Sequence, residues 1–167
     1  MKNIKIVIID VDGVLTDGKI IVDAKGAEIK NFHVRDGTGI KYLQRAGLDC
    51  AVISGRKCTA TEHRLRELGI KDVFQNALNK IEAYEQIVAK YNLKDEEVCY
   101  IGDDLIDIPI FRRVGFSAAV PDAPYEVKEI ATYITKTAGG QGAVREVIEK
   151  ILKFQDKWGI IMARYLG

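Results

Sequence analysis

Asp10 and Asp12 stand one residue apart where an almost unbroken apolar run, Ile4 to Ile9, gives way to Val11-Asp12-Gly13-Val14-Leu15-Thr16-Asp17-Gly18. A short run rich in isoleucine reads as a strand buried on both faces. Such strands belong to parallel sheets, and ligands sit beyond their carboxyl ends. Neighbouring carboxylates there repel unless something offsets their charge, and a magnesium ion, which takes oxygen ligands, is the natural counterion. Gly13 lets the backbone turn away from the crowded point. An ordinary strand end would need only one aspartate.

A second acidic cluster, Gly102-Asp103-Asp104-Leu105-Ile106-Asp107, closes the run Val98 to Ile101. Two clusters at two strand ends can meet at one cation and leave room for water and a substrate oxygen. Ser54 follows Ala51-Val52-Ile53 and precedes Gly55, so its hydroxyl and the next N–H groups face the same crevice. The helix beyond it offers a positive dipole end to a phosphate. By itself Ser54 is an ordinary capping serine. Lys80 opens a helix at the end where the dipole disfavours a cation, which asks for an anionic partner. By itself it is a solvated lysine.

The elements that must position these residues alternate between strand and helix. Strands are predicted at 4–9, 49–53, 73–74, 98–101, 116–120 and 133–134, and helices over 38–46, 59–68, 80–91, 106–114, 124–130 and 143–154. Gly47 and Gly69 stop the first two helices. Ile81, Tyr84, Ile87, Val88 and Tyr91 share one face of the third. The alternation predicts an α/β fold, a Rossmann-like, doubly wound and mainly parallel sheet with helices on both faces. One feature departs from it. Residues 19–22 and 28–32 flank the turn Asp23-Ala24-Lys25-Gly26, which predicts a β-hairpin flap over about 18–33, inserted after the first strand.

Composition narrows the function classes. The 167 residues fit one domain, 47% hydrophobic and 29% charged, as in a soluble globular protein. A formal charge of +1 argues against a nucleic-acid partner. No apolar stretch is long enough to span a bilayer, and no cationic leader precedes the first strand, so a cytoplasmic protein is expected. Cys50, Cys58 and Cys99 are odd in number and lack metal-ligand spacing, and Cys50 and Cys99, in predicted strands, read as buried free thiols.

In order and position, Asp10-Val11-Asp12-Gly13, Ser54, Lys80 and Gly102 to Asp107 resemble the four motifs of the haloacid dehalogenase superfamily of phosphatases, over roughly Ile4 to Asp107. The resemblance implies that Asp10 attacks phosphorus to give an aspartyl-phosphate. It makes Asp12 the acid for the leaving alkoxide and then the base for the hydrolytic water. Ser54 and Lys80 would hold the transferring oxygens. Magnesium would sit on Asp10, the main-chain carbonyl of Asp12, and Asp103, with Asp104 and Asp107 behind them. Relatives with caps insert a domain after the first motif or between the second and third. About forty residues separate Asp12 from Ser54 here, too few for a cap.

Within that superfamily, Asp10 to Gly18, His33-Val34-Arg35-Asp36-Gly37, Ile53-Ser54-Gly55-Arg56, Tyr100 to Asp107 and Gly139-Gly140-Gln141-Gly142-Ala143-Val144-Arg145-Glu146 resemble the capless phosphatases of 3-deoxy-D-manno-octulosonate 8-phosphate in lipopolysaccharide synthesis. This implies substrate binding by Asp12, the loop His33, Val34, Arg35, Asp36 and Gly37, and by Lys41, Arg56, Arg64 and Lys80. Arg and Lys suit a substrate with a phosphate and a carboxylate. It also implies a homotetramer whose hairpins associate, each pocket bordered by a neighbouring chain. The apolar tail, about 155–167, is expected to pack there too, although flap and tail could instead fold back on their own chain. Phosphatases of nonulosonate 9-phosphates share the capless architecture and remain an alternative. A phosphoacceptor receiver module also gathers acids, a hydroxyl and a lysine around magnesium, but its acidic pair and its phosphorylated aspartate lie on different strands.

Overall fold

The computed structural model describes residues 1–166. Its centre is β1 (Ile6–Ile9), fully buried and paired in parallel with β4 (Asp49–Ile53) on one side and β6 (Val98–Gly102) on the other. Ile9 stands in register with Val52 and with Ile101, so the three strands end within one residue of one another. That shared edge is where Asp10, Ser54 and Asp103 emerge.

The remaining strands extend the sheet outward. β5 (Asp72–Phe74) pairs with β4, β7 (Phe116–Ala119) with β6, and β8 (Tyr133–Ile134) with β7, all parallel. The order is β5-β4-β1-β6-β7-β8. The chain therefore winds out from β1 in one direction, returns, and winds out in the other. Right-handed crossovers then place helices on both faces and open a crevice beside β1. The buried Ile, Val and Ala side chains of these strands form one core with the inner faces of the helices.

The crossovers are α1 (Val34–Arg45), α2 (Thr59–Glu67), α3 (Lys80–Tyr91), α4 (Ile108–Phe111), α5 (Tyr125–Ile130) and α6 (Ala143–Phe154). α1 and α6 pack closely on each other, and α6 buries Val144, Val147, Ile148, Ile151 and Leu152 at helical spacing.

The structure corrects the expected chain path in places. α1 begins at Val34, not Thr38, so the supposed loop from His33 to Gly37 is a helix cap and first turn. His33 is the N-cap, its Nδ1 accepting a hydrogen bond from Arg35 N at 3.3 Å. Gly37 and Gly39 disguised this turn, yet both sit where a side chain would collide, with Arg64 and Arg145 respectively. The expected helix over 106–114 is a single tight turn, Leu105–Asp107, followed by the short α4.

The hairpin is present but short. β2 (Ile21–Val22) and β3 (Glu28–Ile29) form a separate antiparallel pair. The tail forms a helix, α7 (Trp158–Leu166), that folds back on its own chain. Trp158 meets the Tyr42 ring edge-on, Ile161 is buried, and the Tyr42 hydroxyl donates to that of Tyr165 at 3.0 Å. Arg145 lies over both Tyr42 and Trp158, so a cation–aromatic stack holds α7 on α1 and α6. Gly167 lies outside the described residues.

Candidate active site

Past β1 the chain enters a tight irregular turn, Val11–Leu15, closed by Thr16 N donating to the Val11 carbonyl at 3.0 Å. Gly13 has φ +84°, and a Cβ there would lie 2.0 Å from Asp103 Oδ2. Only glycine lets the two acidic loops approach this closely. Thr16, which sequence reading passed over, is buried. Its hydroxyl donates to the Val11 carbonyl at 3.4 Å and accepts from Gly13 N and Gly18 N at 3.4 and 3.3 Å.

Asp10 is 6% exposed at the base of the crevice. Its Oδ1 accepts from Val11 N at 2.7 Å, and its Oδ2 lies 2.7 Å from Lys80 Nζ. Lys80 is itself buried and also donates to Asp107 Oδ1 at 2.7 Å. The lysine at the wrong end of a helix thus has its anions, and they belong to the protein. Burial works against its charge, but Asp10 and Asp107 outweigh that and raise its pKa. Burial pushes the Asp10 carboxyl up to about 6, with Asp107 adding to the shift and Lys80 opposing it. Asp103 is pushed up to about 8 by burial, then by the charges of Asp10 and Asp107.

Asp107 is fully buried and receives four hydrogen bonds, from Lys80 Nζ, Tyr100 OH, Asp103 N and Asp104 N. Its oxygens are committed to holding the turn and the lysine. Carboxylate oxygens of Asp10, Asp103 and Asp107 lie within 4.8 Å of one another. With Asp107 so occupied, Asp10 and Asp103 have free capacity for a hard cation. Two carboxylates held so close that the charge of Asp10 helps to raise the Asp103 pKa, with only oxygen donors, fit a divalent metal well. Asp104 caps the turn, its Oδ1 accepting from Leu105 N at 2.7 Å.

A cavity of about 240 Å³ opens on Asp10, Asp12, Arg56, Lys80, Asp103 and Asp104. Ser54 is buried at the end of β4, its hydroxyl accepting from Arg56 N at 3.3 Å. Asp12 lies at the cavity mouth under the flap. Lys30 of the flap bonds to its Oδ1, and Arg56 Nε stands 3.9 Å from its Oδ2. Glu28 joins them, 2.9 Å from Lys30 and 3.0 Å from Arg56. Lys30 and Glu28 were missed because their run in the sequence reads only as half of a hairpin.

The other expected substrate contacts divide into separate places. Val34, Gly37, Lys41 and Arg64 line a different cavity of about 300 Å³, together with Arg45 and Tyr165. Lys41 Nζ donates to the Leu68 carbonyl at 2.7 Å, capping α2, and Arg64 pairs with Glu67 at 2.8 Å. Asp36 is buried and accepts from Arg145 N at 2.8 Å, which ties α1 to the start of α6. Arg35 faces a third cavity, beside Arg145 and Glu149. Among the described residues, Asp12, Arg56 and Lys80 of the implied substrate contacts line the Asp10 cavity.

Comparison with known proteins agrees with this geometry. A family model for haloacid dehalogenase-like hydrolases matches residues 69–148. The 3-deoxy-D-manno-octulosonate 8-phosphate phosphatase of Haemophilus influenzae is 46% identical over 157 residues, 94% of this chain and 87% of that protein. That of Yersinia pestis is 46% identical over 155 residues, 93% of this chain and 83% of its own. The crystal structure of the Moraxella catarrhalis phosphatase of that name, in complex with a magnesium ion, a phosphate ion and KDO, is 39% identical with a TM-score of 0.95. It covers 98% of this chain and 94% of that one. The chain belongs to the haloacid dehalogenase-like hydrolases, on the capless branch that holds these sugar-acid phosphatases.

Proposed function

We propose that the protein hydrolyses 3-deoxy-D-manno-octulosonate 8-phosphate to the free sugar acid and phosphate, in the cytoplasm, as a step of lipopolysaccharide synthesis. The observation that carries this is the set Asp10, Lys80 and Asp103 at three adjoining chain segments, in a chain close in sequence to phosphatases of that substrate. Asp10 is the nucleophile. Its oxygen forms a bond to phosphorus as the bond to the sugar oxygen breaks, giving an aspartyl-phosphate. Asp12, at the cavity mouth, gives a proton to the leaving oxygen and later takes one from the attacking water. Lys80 offsets the repulsion between Asp10 and the phosphate dianion, and Ser54 holds a phosphoryl oxygen.

Magnesium would be held by the Asp10 and Asp103 carboxylates and the Asp12 carbonyl, and when bound it supplies positive charge to the transferring phosphoryl oxygens. Asp107 fixes Lys80 and the Asp103 turn, and Asp104 caps that turn. For the sugar acid, Arg56 stands at the cavity of its own chain. The cluster of Val34, Gly37, Lys41 and Arg64 lies elsewhere, which favours a homotetramer in which that surface borders the pocket of a neighbouring chain. The exposed Ile20, Ile21, Val22 and Ile29 of the flap favour the same assembly.

A panel of sugar phosphates assayed with magnesium tests the reading. The highest kcat/KM is expected on 3-deoxy-D-manno-octulosonate 8-phosphate. Preference for a nonulosonate 9-phosphate would reassign the substrate. A stable phosphoprotein with no turnover would point to a receiver module instead.

A further inference from the structure

The Lys30 side chain is almost fully enclosed, at 2% exposure, although the hairpin around it is largely exposed. Enclosing an ammonium is costly unless carboxylates and good geometry compensate it. Here Asp12 Oδ1 accepts a hydrogen bond from it, and Glu28 Oε1 stands 2.9 Å away as a second anion. Glu28 in turn holds Arg56 Nη2 at 3.0 Å, and Arg56 approaches the other oxygen of Asp12. The flap, the turn after β4 and the turn after β1 are thus joined by one ring of four charges, of which Asp12 and Arg56 line the Asp10 cavity.

We propose that Lys30 is a positioning residue for Asp12, binding Oδ1 so that Oδ2 is the oxygen left to face the reacting group. Docking of the flap and readiness of Asp12 then become one event. The proposal rests on the assignment of Asp12 as the proton donor to the leaving oxygen. In that step the bond from Asp10 to phosphorus forms, the bond to the leaving oxygen breaks, and that oxygen takes the proton from Asp12. A misplaced Asp12 therefore harms substrates in proportion to how much their leaving oxygen needs the proton. A sugar alkoxide needs it; a nitrophenolate is stable without it.

The test compares Lys30→Met and Asp12→Asn on the sugar-acid phosphate and on p-nitrophenyl phosphate. Lys30→Met keeps the apolar stem and removes the charge. It should lower kcat on the sugar phosphate by about 10- to 100-fold, within the range that general acid catalysis supplies. KM on that substrate, and kcat on the nitrophenyl ester, should each change by less than about threefold on the same argument. Lys30→Arg should recover part of the loss, and Glu28→Gln should show the same leaving-group pattern more weakly. Equal losses on both substrates for Lys30→Met, with Asp12→Asn still selective, would overturn the proposal and leave Asp12 in its role. Equal losses for both variants would remove the Asp12 assignment, and the proposal with it. A rise in KM on both substrates would instead make Lys30 a phosphate ligand and overturn the positioning role.

Discussion

The most telling side chain in the crevice is Lys80, because its buried ammonium opposes the upward push that burial gives the Asp10 carboxyl. Its ammonium bridges Asp10 and Asp107 at 2.7 Å each. Removing one partner of a buried charge group typically costs about 3–5 kcal/mol, since the remaining charge is left uncompensated. Lys80→Met should therefore lower the melting temperature as well as abolish turnover, whereas Asp10→Asn should abolish turnover with a much smaller thermal effect. Phosphate monoesters hydrolyse extremely slowly without catalysis, so loss of the nucleophile leaves almost no residual rate. Steady-state assays and thermal melts on both variants check this, and wild-type-like turnover by Asp10→Asn would unseat Asp10. A pH dependence follows from the same crowding. Burial holds Asp10 up near 6 and Asp103 up near 8, so the folded protein without metal keeps protons that the unfolded chain has released. Between the ordinary aspartate value and about 8, these groups contribute less stability as pH rises. Magnesium must displace those protons, so its binding should release protons and tighten with pH through that window. Calorimetry in two buffers of different ionisation enthalpy would measure the release. Proton-neutral, pH-independent binding would refute the coupling.

At the scale of elements, the sheet and its edge were legible because strands and loops obey local rules. The apolar runs at 4–9, 49–53 and 98–101 are β1, β4 and β6, and α3 and α6 begin and end where the helical spacing placed them. What escaped was set by contacts distant in sequence. The first turn of α1 was hidden by glycines whose missing side chains make room for Arg64 and Arg145, and Lys30 gains meaning only when β3 folds over Asp12. The loop Gly139–Gly142 is a similar case, recognisable as a motif but without a role until the fold is seen. Gly140 N donates to the Val14 carbonyl at 2.9 Å, and a Cβ on Gly139 would lie 1.7 Å from the Gly13 carbonyl oxygen. Backbone therefore packs on backbone directly behind the Asp10 turn. Glu146, in the first turn of α6, holds the segment that leads into this loop, accepting from Tyr133 OH, Lys136 N, Thr137 N and Thr137 Oγ1. Gly139→Ala must push the Asp10 turn out of place. We expect at least about a tenfold loss of kcat and a destabilisation of about 1–3 kcal/mol, the usual size of an overpacking effect. Chemical denaturation and steady-state kinetics would measure the two, and an unchanged kcat would show that the loop does not set the geometry of the turn.

At the scale of the whole molecule, the substrate contacts that the family resemblance implies line separate cavities of a single chain. The reacting groups and Arg56 line one cavity, while Lys41 and Arg64 line another, under α7. The flap is anchored to its own active site by Lys30 and Glu28, yet it turns Ile20, Val22 and Ile29 to solvent, at 59%, 61% and 50% exposure. A two-stranded hairpin is marginal in water and gains stability by packing those faces on another surface. A stable interface needs roughly 800 Å² from each partner, more than a short hairpin alone provides, so neighbouring surfaces must join it. If association through flaps brings one chain's α1 surface toward another chain's cavity, the sugar carboxylate gains cationic partners beyond Arg56. The tail is already docked by Tyr42, Arg145 and Trp158, and so it serves to hold that surface in shape. Placing a charge in the flap at Ile20→Glu or Ile29→Glu should shift the protein toward monomer in light scattering. If the second cavity completes a neighbour's site, dissociation should raise KM for the sugar-acid phosphate by about tenfold or more, the loss of one charge-assisted contact of about 1.5–3 kcal/mol. It should leave kcat/KM for p-nitrophenyl phosphate, which has no carboxylate to recognise, largely intact. A wild-type monomer with full activity on the sugar acid would refute the assembly and leave the chemistry at Asp10 untouched.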